Sequence, residues 1–330
     1  MKKIYNDVNQ MVDEMIDGIT TAHSAFLKRL PNTTVITRSD VRVQGKVGIV
    51  SGGGSGHEPA HAGYVGEGML DAAVVGEVFT SPTPDQVLEA LKAVDSGAGV
   101  LLILKNYTGD VMNFEMAKEM AEMEGIKVEQ VVVNDDVAVQ DSTFTTGRRG
   151  IAGTVFVHKI AGALAETGAS LEEVKSIAEK TINNVRSMGV ALSSCTVPAA
   201  GKPSFVLEDN EMEIGIGIHG EPGIKRVPIE NADQITTTLL EKILADIDYS
   251  NSNVAVMING LGSTPEMELY LVSRKVSQLL EEKEITIYRT WVGEYMTSLD
   301  MAGFSITVLK LDDQLKEMLN KPSKTIAFSN

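Results

Sequence analysis

Between Pro31 and Asp136 one unit recurs, and it limits the fold more than any other feature of the chain. A short apolar run meets a loop rich in glycine or proline, and a helical pattern usually follows. "KVGIVSGGGSGHEP" is an apolar run passing into a glycine loop. "DAAVVGEVFTSPTPDQVLEALKAV" is a run, a turn and a helix, and "GVLLILKNYTGDVMNFEMAKEMAEMEG" repeats the scheme before "KVEQVVVNDD" adds another run. Short apolar runs bounded by turn residues read as strands, and strands alternating with helices specify an α/β layer with a largely parallel sheet. Ligands of such sheets sit beyond the carboxyl ends of the strands, where these loops would lie.

The flanking regions extend the pattern. Apolar residues at Val8, Met11, Val12, Met15, Ile16, Ile19 and Ala22 predict one amphipathic helix over residues 6–30. Two further helices are predicted over 150–167 and 171–188. A second set of strands follows in "GVALSSC", "EIGIGIHG", "NVAVMING", "ITIYRTWV" and "FSITVLKL", with helices interleaved at about 232–244 and 265–282. The expected architecture is two α/β domains, residues 1–188 and 189–330, each a largely parallel or mixed sheet flanked by helices. A length of 330 residues agrees with about two domains.

Composition excludes several classes of function. No stretch is long and apolar enough to span a membrane, and the opening "MKKIYNDVNQMVDEM" lacks the apolar core of a secretory signal. The single cysteine, Cys195, fits a reducing compartment. Lys+Arg 29 against Asp+Glu 45 leaves a net charge of −16, which disfavours a nucleic-acid surface. These features predict a cytoplasmic protein that handles small molecules.

The nucleotide motifs are weak. A phosphate-binding loop of the form G-x-x-x-x-G-K-[ST] is absent. Gly215 to Gly220 satisfies G-x-G-x-x-G, but Ile214, Ile216 and Ile218 alternate with Gly215, Gly217 and His219 at the period of a strand. The glycines are then expected inside a strand, with "EPG" where a dinucleotide fold needs a helix. Glycine inside a strand often marks the close approach of a ligand or another backbone.

Of five histidines, His23 and His158 fall in helical patterns and read as surface or packing residues. His57 and His61 spell "HEPAH", the zinc-protease pattern, yet Pro59 disfavours helix at Glu58 and splits the pair, so no metal is expected. Asp110 follows a strand at a helix start, where a capping or first-turn carboxylate is as natural as a catalytic one. Lys105 ends the same strand and could equally be solvated. Met112, Met116, Met120 and Met123 recur at helical spacing and are expected to fill a core. Arg148 and Arg149 could meet phosphate, a partner's carboxylates or only water.

Long segments carry a more specific signal. "VSGGGSGHEPAHAGYVGEGMLDAAVVGEVFTSPTPDQ", "LLILKNYTGDVMNFEMA", "STFTTGRRGIAGTVFVHKIAGA", "SSCTVP" and "EIGIGIHGEPG" together resemble the dihydroxyacetone kinase K subunit over essentially the whole length. The resemblance implies a two-domain α/β homodimer that binds dihydroxyacetone and no nucleotide. ADP or ATP with magnesium would reside on a separate L subunit, recharged in many bacteria by a phosphotransferase-type subunit. Longer kinases fuse the K and L portions, and the extent of this chain fits the separate arrangement.

By matching motif, the resemblance makes His219 the residue that adds to the ketone carbon as a hemiaminal. A neutral imidazole is a competent nucleophile near neutral pH, and glycerol, which has no carbonyl, would be rejected. The resemblance makes Asp110 the base for the attacking hydroxyl and His57 a hydrogen-bonding partner in the acid–base work. Backbone groups of Gly54, Ser55 and Gly56, with Lys105, would line the substrate site, and Thr80 and Ser81 are weaker candidates for it. Some members of the family instead sense dihydroxyacetone and act with a transcription regulator. Retention of His57, Asp110 and His219 favours the enzyme over that alternative.

Overall fold

The computed structural model describes residues 2–40, 43–140 and 146–329. Eight described helices flank two six-stranded mixed sheets. The first sheet has the order β1(Leu27–Arg29)–β2(Val35–Arg38)–β4(Ala72–Val78)–β3(Gly48–Ser55)–β5(Val100–Lys105)–β6(Val128–Val133). Its four later members, β3 to β6, run parallel, β2 adds antiparallel to β4, and β1 adds antiparallel to β2. Every residue of β5, "VLLILK", is buried, as a central parallel strand covered on both faces requires. The strand packs against α3(Thr108–Met123) on one side and α4(Thr154–Ala165) and α5(Leu171–Asn184) on the other.

The second sheet has the order β11(Thr286–Gly293)–β10(Asn253–Gly260)–β12(Gly303–Leu311)–β7(Val185–Ala191)–β8(Glu211–Ile214)–β9(Lys225–Pro228). Only β10 and β11 pair parallel in it. Met188 pairs with Ile306 inside this sheet. The two helices α6(Ala232–Leu244) and α7(Glu266–Glu282) cover one face. The chain then returns, and α8(Asp313–Asn320) packs on α4, where Lys159 Nζ caps the carbonyls of Met318 and Lys321 at 3.1 and 2.7 Å. Phe328 joins the first core beside Trp291. No helix among the described residues is long and apolar enough to cross a membrane.

Four expectations change. The opening helix is shorter, α1(Met11–Ala22), and Leu27–Arg29 of the same stretch is a strand that pairs with β2. The helix predicted to run to 188 stops at Asn184, because β7 begins at once and pairs with β12. The strand predicted through His219 ends at Ile214: Gly215 adopts φ 80°, a left-handed conformation that breaks the extended run. Conversely, the glycines read as a loop, Gly52 to Gly54, are the last part of β3 itself. A Cβ on Gly54 would lie 2.5 Å from the backbone nitrogen of Thr80, so only glycine lets the strand and that turn approach so closely.

The methionine stripe also differs. Met112, Met116 and Met123 stand exposed on α3, while Met120 alone packs partly into the core under the first sheet. Helical spacing was right but the face was not, because Phe114, Ala117 and Ala121 supply the buried stripe.

Candidate active site

Four segments converge at the carboxyl end of β3. His57 follows β3, Phe79–Ser81 follows β4, Asp110 lies in the first turn of α3, and His219 lies in the turn after β8. The segment after β11 pins the junction: Leu299 N–H donates to Gly56 O at 2.7 Å, and His57 Nδ1 lies 2.7 Å from Thr297 O. A cleft of about 750 Å3 opens beside them, lined by Phe79, Thr80, Ser81, Tyr107, Ser204 and His219 among others. Thr80 and Ser81 thus reach the cleft. His57, Lys105 and Gly54 to Gly56 lie behind its wall. Ser55 Oγ donates to Gly76 O at 2.6 Å, and Gly56 N–H donates to the Glu58 carboxylate at 3.1 Å.

His219 is fixed on three sides. Glu221 Oε1 lies 2.8 Å from Nδ1, and Glu221 Oε2 accepts the His219 backbone N–H at 2.9 Å. A carboxylate only accepts, so the imidazole carries its proton on Nδ1 and leaves Nε2 to face another partner. Edge contacts from Tyr107 and Phe79, with ring centroids 4.5 and 5.1 Å away, set the ring plane. Glycine is needed nearby for the carboxylate's sake: a Cβ on Gly217 would sit 2.1 Å from Glu221 Oε2 and 2.7 Å from Arg149 Nη1.

Burial pushes the Glu221 carboxyl up, but adjacent His219 and Arg149 outweigh it and hold the group down to about 2. Arg149 is fully buried, pairs with Asp136, and donates to Gly215 O at 2.7 Å and Pro222 O at 3.4 Å. It therefore grips both ends of the turn that carries His219. Arg148 pairs with Asp246 at 2.6 and 2.8 Å. Arg149 is shut off from solvent and Arg148 is partly exposed, and both are committed to carboxylates of this chain. Part of their motif, residues 142–145, lies outside the described residues.

His57 Nε2 faces His219 Nε2 at 3.0 Å, with the His57 ring stacked on Phe79 at 5.1 Å. Because Thr297 O can only accept, His57 also carries its own proton on Nδ1. Two bare nitrogens would repel at that distance, so the contact holds one proton between the rings, balanced by the Glu221 carboxylate. Burial, then His219 and Lys105, depress the His57 pKa well below the usual range, so on its own this ring stays neutral.

Asp110 Oδ1 accepts from Ser81 Oγ at 2.5 Å. Asp110, Lys105 and His61 converge on the space Gly53 leaves open: a Cβ there would lie 2.8 Å from Lys105 Nζ, 3.6 Å from Asp110 Oδ2 and 3.6 Å from His61 Nε2. Lys105 is buried, not solvated, and burial lowers its pKa while Asp110 and Glu221 act to raise it. His57 and His61 lie in a non-helical turn and face different partners, His219 and Lys105. Sequence reasoning assigned no role to Glu221, Tyr107, Phe79 or His61. Only Glu221 had a readable signal, a carboxylate two residues from a histidine between turn-forming glycines.

Comparison with known proteins identifies the family. The model of the Dak1 domain family matches residues 17–327. The dihydroxyacetone-binding subunit of PTS-dependent dihydroxyacetone kinase 1 from Listeria innocua is 57% identical over 99% of this chain and 100% of its own length. The corresponding PEP-dependent subunit of Escherichia coli is 46% identical over 100% and 99%. Among solved structures, a dihydroxyacetone kinase operon co-activator superposes with a TM-score of 0.91 at 39% identity, covering 98% of this chain and 99% of that one. The dihydroxyacetone kinase of C. freundii superposes with a TM-score of 0.92 at 38% identity, covering 99% of this chain and 61% of that one. The chain belongs to the Dak1 domain family, the family of the dihydroxyacetone kinase K subunit.

Proposed function

We propose that this chain is the dihydroxyacetone-binding subunit of a phosphotransferase-dependent dihydroxyacetone kinase, and that it captures its substrate covalently on His219. The observation that carries this reading is the His57–His219–Glu221 chain at the wall of the cleft. Glu221 keeps the His219 proton on Nδ1, and His57, 3.0 Å from Nε2, supplies the proton-handling partner. In capture, a bond forms from His219 Nε2 to the ketone carbon and the carbonyl π bond breaks. The proton the two rings share passes to the ketone oxygen. The resulting alkylated imidazolium keeps its Nδ1–H on Glu221, so charge is conserved within the site. Capture supplies orientation, and a polyol without a carbonyl gains none of it.

Asp110 then takes the proton of a terminal hydroxyl, whose oxygen attacks the phosphorus of the donor as the donor's own oxygen departs. Phosphoryl transfer depends mainly on positioning and charge stabilisation. ADP or ATP with magnesium belongs, in this reading, to a separate L subunit docked over the cleft. The exposed Met112 and Met116, on the helix that begins beside Asp110, suit such a mobile contact. A homodimeric, cytoplasmic protein completes the proposal.

A second reading has one observation in its favour, the likeness to an operon co-activator over nearly the whole chain. In it the protein senses dihydroxyacetone and acts with a transcription regulator. Mixing the chain with an L subunit, magnesium, phosphoryl donor and dihydroxyacetone decides between them. The kinase reading expects dihydroxyacetone phosphate. Covalent ligand on the chain without any such product would move the assignment to the sensor.

A further inference from the structure

Behind the cleft lies a second line of buried groups that the reaction as described does not use. Lys105 Nζ lies 3.0 Å from His61 Nε2, and His61 Nδ1 lies 3.0 Å from His158 Nε2. Ser51 Oγ, at 3.4 Å from His61 Nδ1, already donates to Ile103 O at 2.7 Å. All three principal members are at most 6% exposed. The far end is unpartnered: His158 Nδ1 is buried with no hydrogen-bond partner. The near end meets Asp110 across the space above Gly53.

We propose that His61 is a positioning residue for the phosphoryl-transfer step, the acceptor that holds Lys105 as an ammonium turned toward Asp110. The proposal rests on the reading of Asp110 as base. An ammonium has donors only, so His61 Nε2 must accept and its proton must sit on Nδ1, donated to His158 Nε2. His158 then carries its proton on the unpartnered Nδ1. A neutral Lys105 would lift that constraint, since an amine accepts as well as donates. Only the ammonium fixes the chain in one direction.

That charge matters because an ammonium beside Asp110 offsets the negative charge that gathers there as the hydroxyl gives up its proton and attacks the phosphoryl group. The groups facing Lys105 come from every surrounding element: Asp110 on α3, His57 after β3, His61 in the following turn, His158 on α4 and Glu221 after β8. Burial of Lys105 favours a neutral amine; Asp110, Glu221 and the His61 acceptor favour the ammonium. Removing the acceptor tips this balance toward the neutral form.

The test pairs His61→Leu with His61→Gln, whose amide oxygen restores an acceptor. With an L subunit, magnesium, phosphoryl donor and dihydroxyacetone, kcat of the leucine variant should fall at alkaline pH about one unit earlier than wild type, a tenfold change in the equilibrium. The glutamine variant should recover the wild-type alkaline limb, and both should keep the covalent dihydroxyacetone adduct by mass spectrometry. A leucine variant with adduct intact and alkaline limb unmoved would overturn the proposal. Nitrogen-15 NMR of the unaltered protein tests it without any variant or turnover. His61 should be protonated on Nδ1 at neutral pH, and protonation on Nε2 would equally overturn it. The NMR result stands whether or not Asp110 proves to be the base, so the two readings fail separately.

Discussion

Two pairs of histidines approach equally closely, 3.0 Å between ring nitrogens in each, yet they are built for different work. In the His57–His219 pair both outer nitrogens are satisfied, by Thr297 O and by Glu221, and the His219 side chain keeps 21% of its surface open to the cleft. In the His61–His158 pair one outer nitrogen meets Lys105, the other meets nothing, and neither ring reaches the cleft. Burial pushes the His158 pKa down to about 3, with Lys105 assisting, so that ring stays neutral. The contact between rings is the same. What differs is the carboxylate at one end and the way out, and these turn one pair into a substrate handle and the other into a support.

The sharpest way to separate the two is Asp110→Asn. Capture belongs to the open pair and transfer to the Asp110 side, so the variant should keep the adduct while kcat falls by about 10²–10⁴-fold. Near-full turnover would remove Asp110 from its role. Glu221→Gln should act on the other side, weakening capture by roughly tenfold or more, since a neutral amide balances the imidazolium poorly. Its effect on stability has a defined pH window. The Glu221 carboxyl is held down to about 2 in the fold against ~4.3 when free. A depressed carboxyl stabilises fully above its free value and loses that contribution as pH falls through its folded value. The thermal-denaturation deficit of the glutamine variant should therefore be present at neutral pH and close in acid. A deficit constant with pH would mean Glu221 acts only by packing.

The smallest effect concerns His57. With its pKa depressed well below 6.5, its isolated ring in His219→Ala should show no protonation step by NMR from pH ~5.5 to ~8. An ordinary titration there would mean that His57 can hold the shared proton unaided.

Much of this contrast was invisible in the sequence, and the glycines show why. The strand–helix alternation over residues 48–133 was legible because apolar period and turn residues record local geometry, and β3 to β6 lie where it puts them. The two glycine runs, however, exchanged roles. Gly52 to Gly54 continue a strand where the backbones of Val74 and Thr80 crowd Gly52 and Gly54, whereas Gly215 ends one by its left-handed φ. Neither cause is local in sequence. Met112 and Met116 carried the helical period but not the direction of the core, which Phe114 and Ala117 decided. His219, His57 and Asp110 were reached through resemblance to a family, not through spacing. Lys105 and His61 meet only because β5 and the turn after β3 are neighbours in the sheet.

The central claim is covalent capture by His219, and mass spectrometry of the native protein with dihydroxyacetone tests it most directly. The wild-type chain should gain the mass of one dihydroxyacetone, localised to the peptide containing His219. His219→Ala should gain none and should discriminate less against glycerol in competition. An adduct that survives in the alanine variant, or selectivity that does not change, would contradict the account.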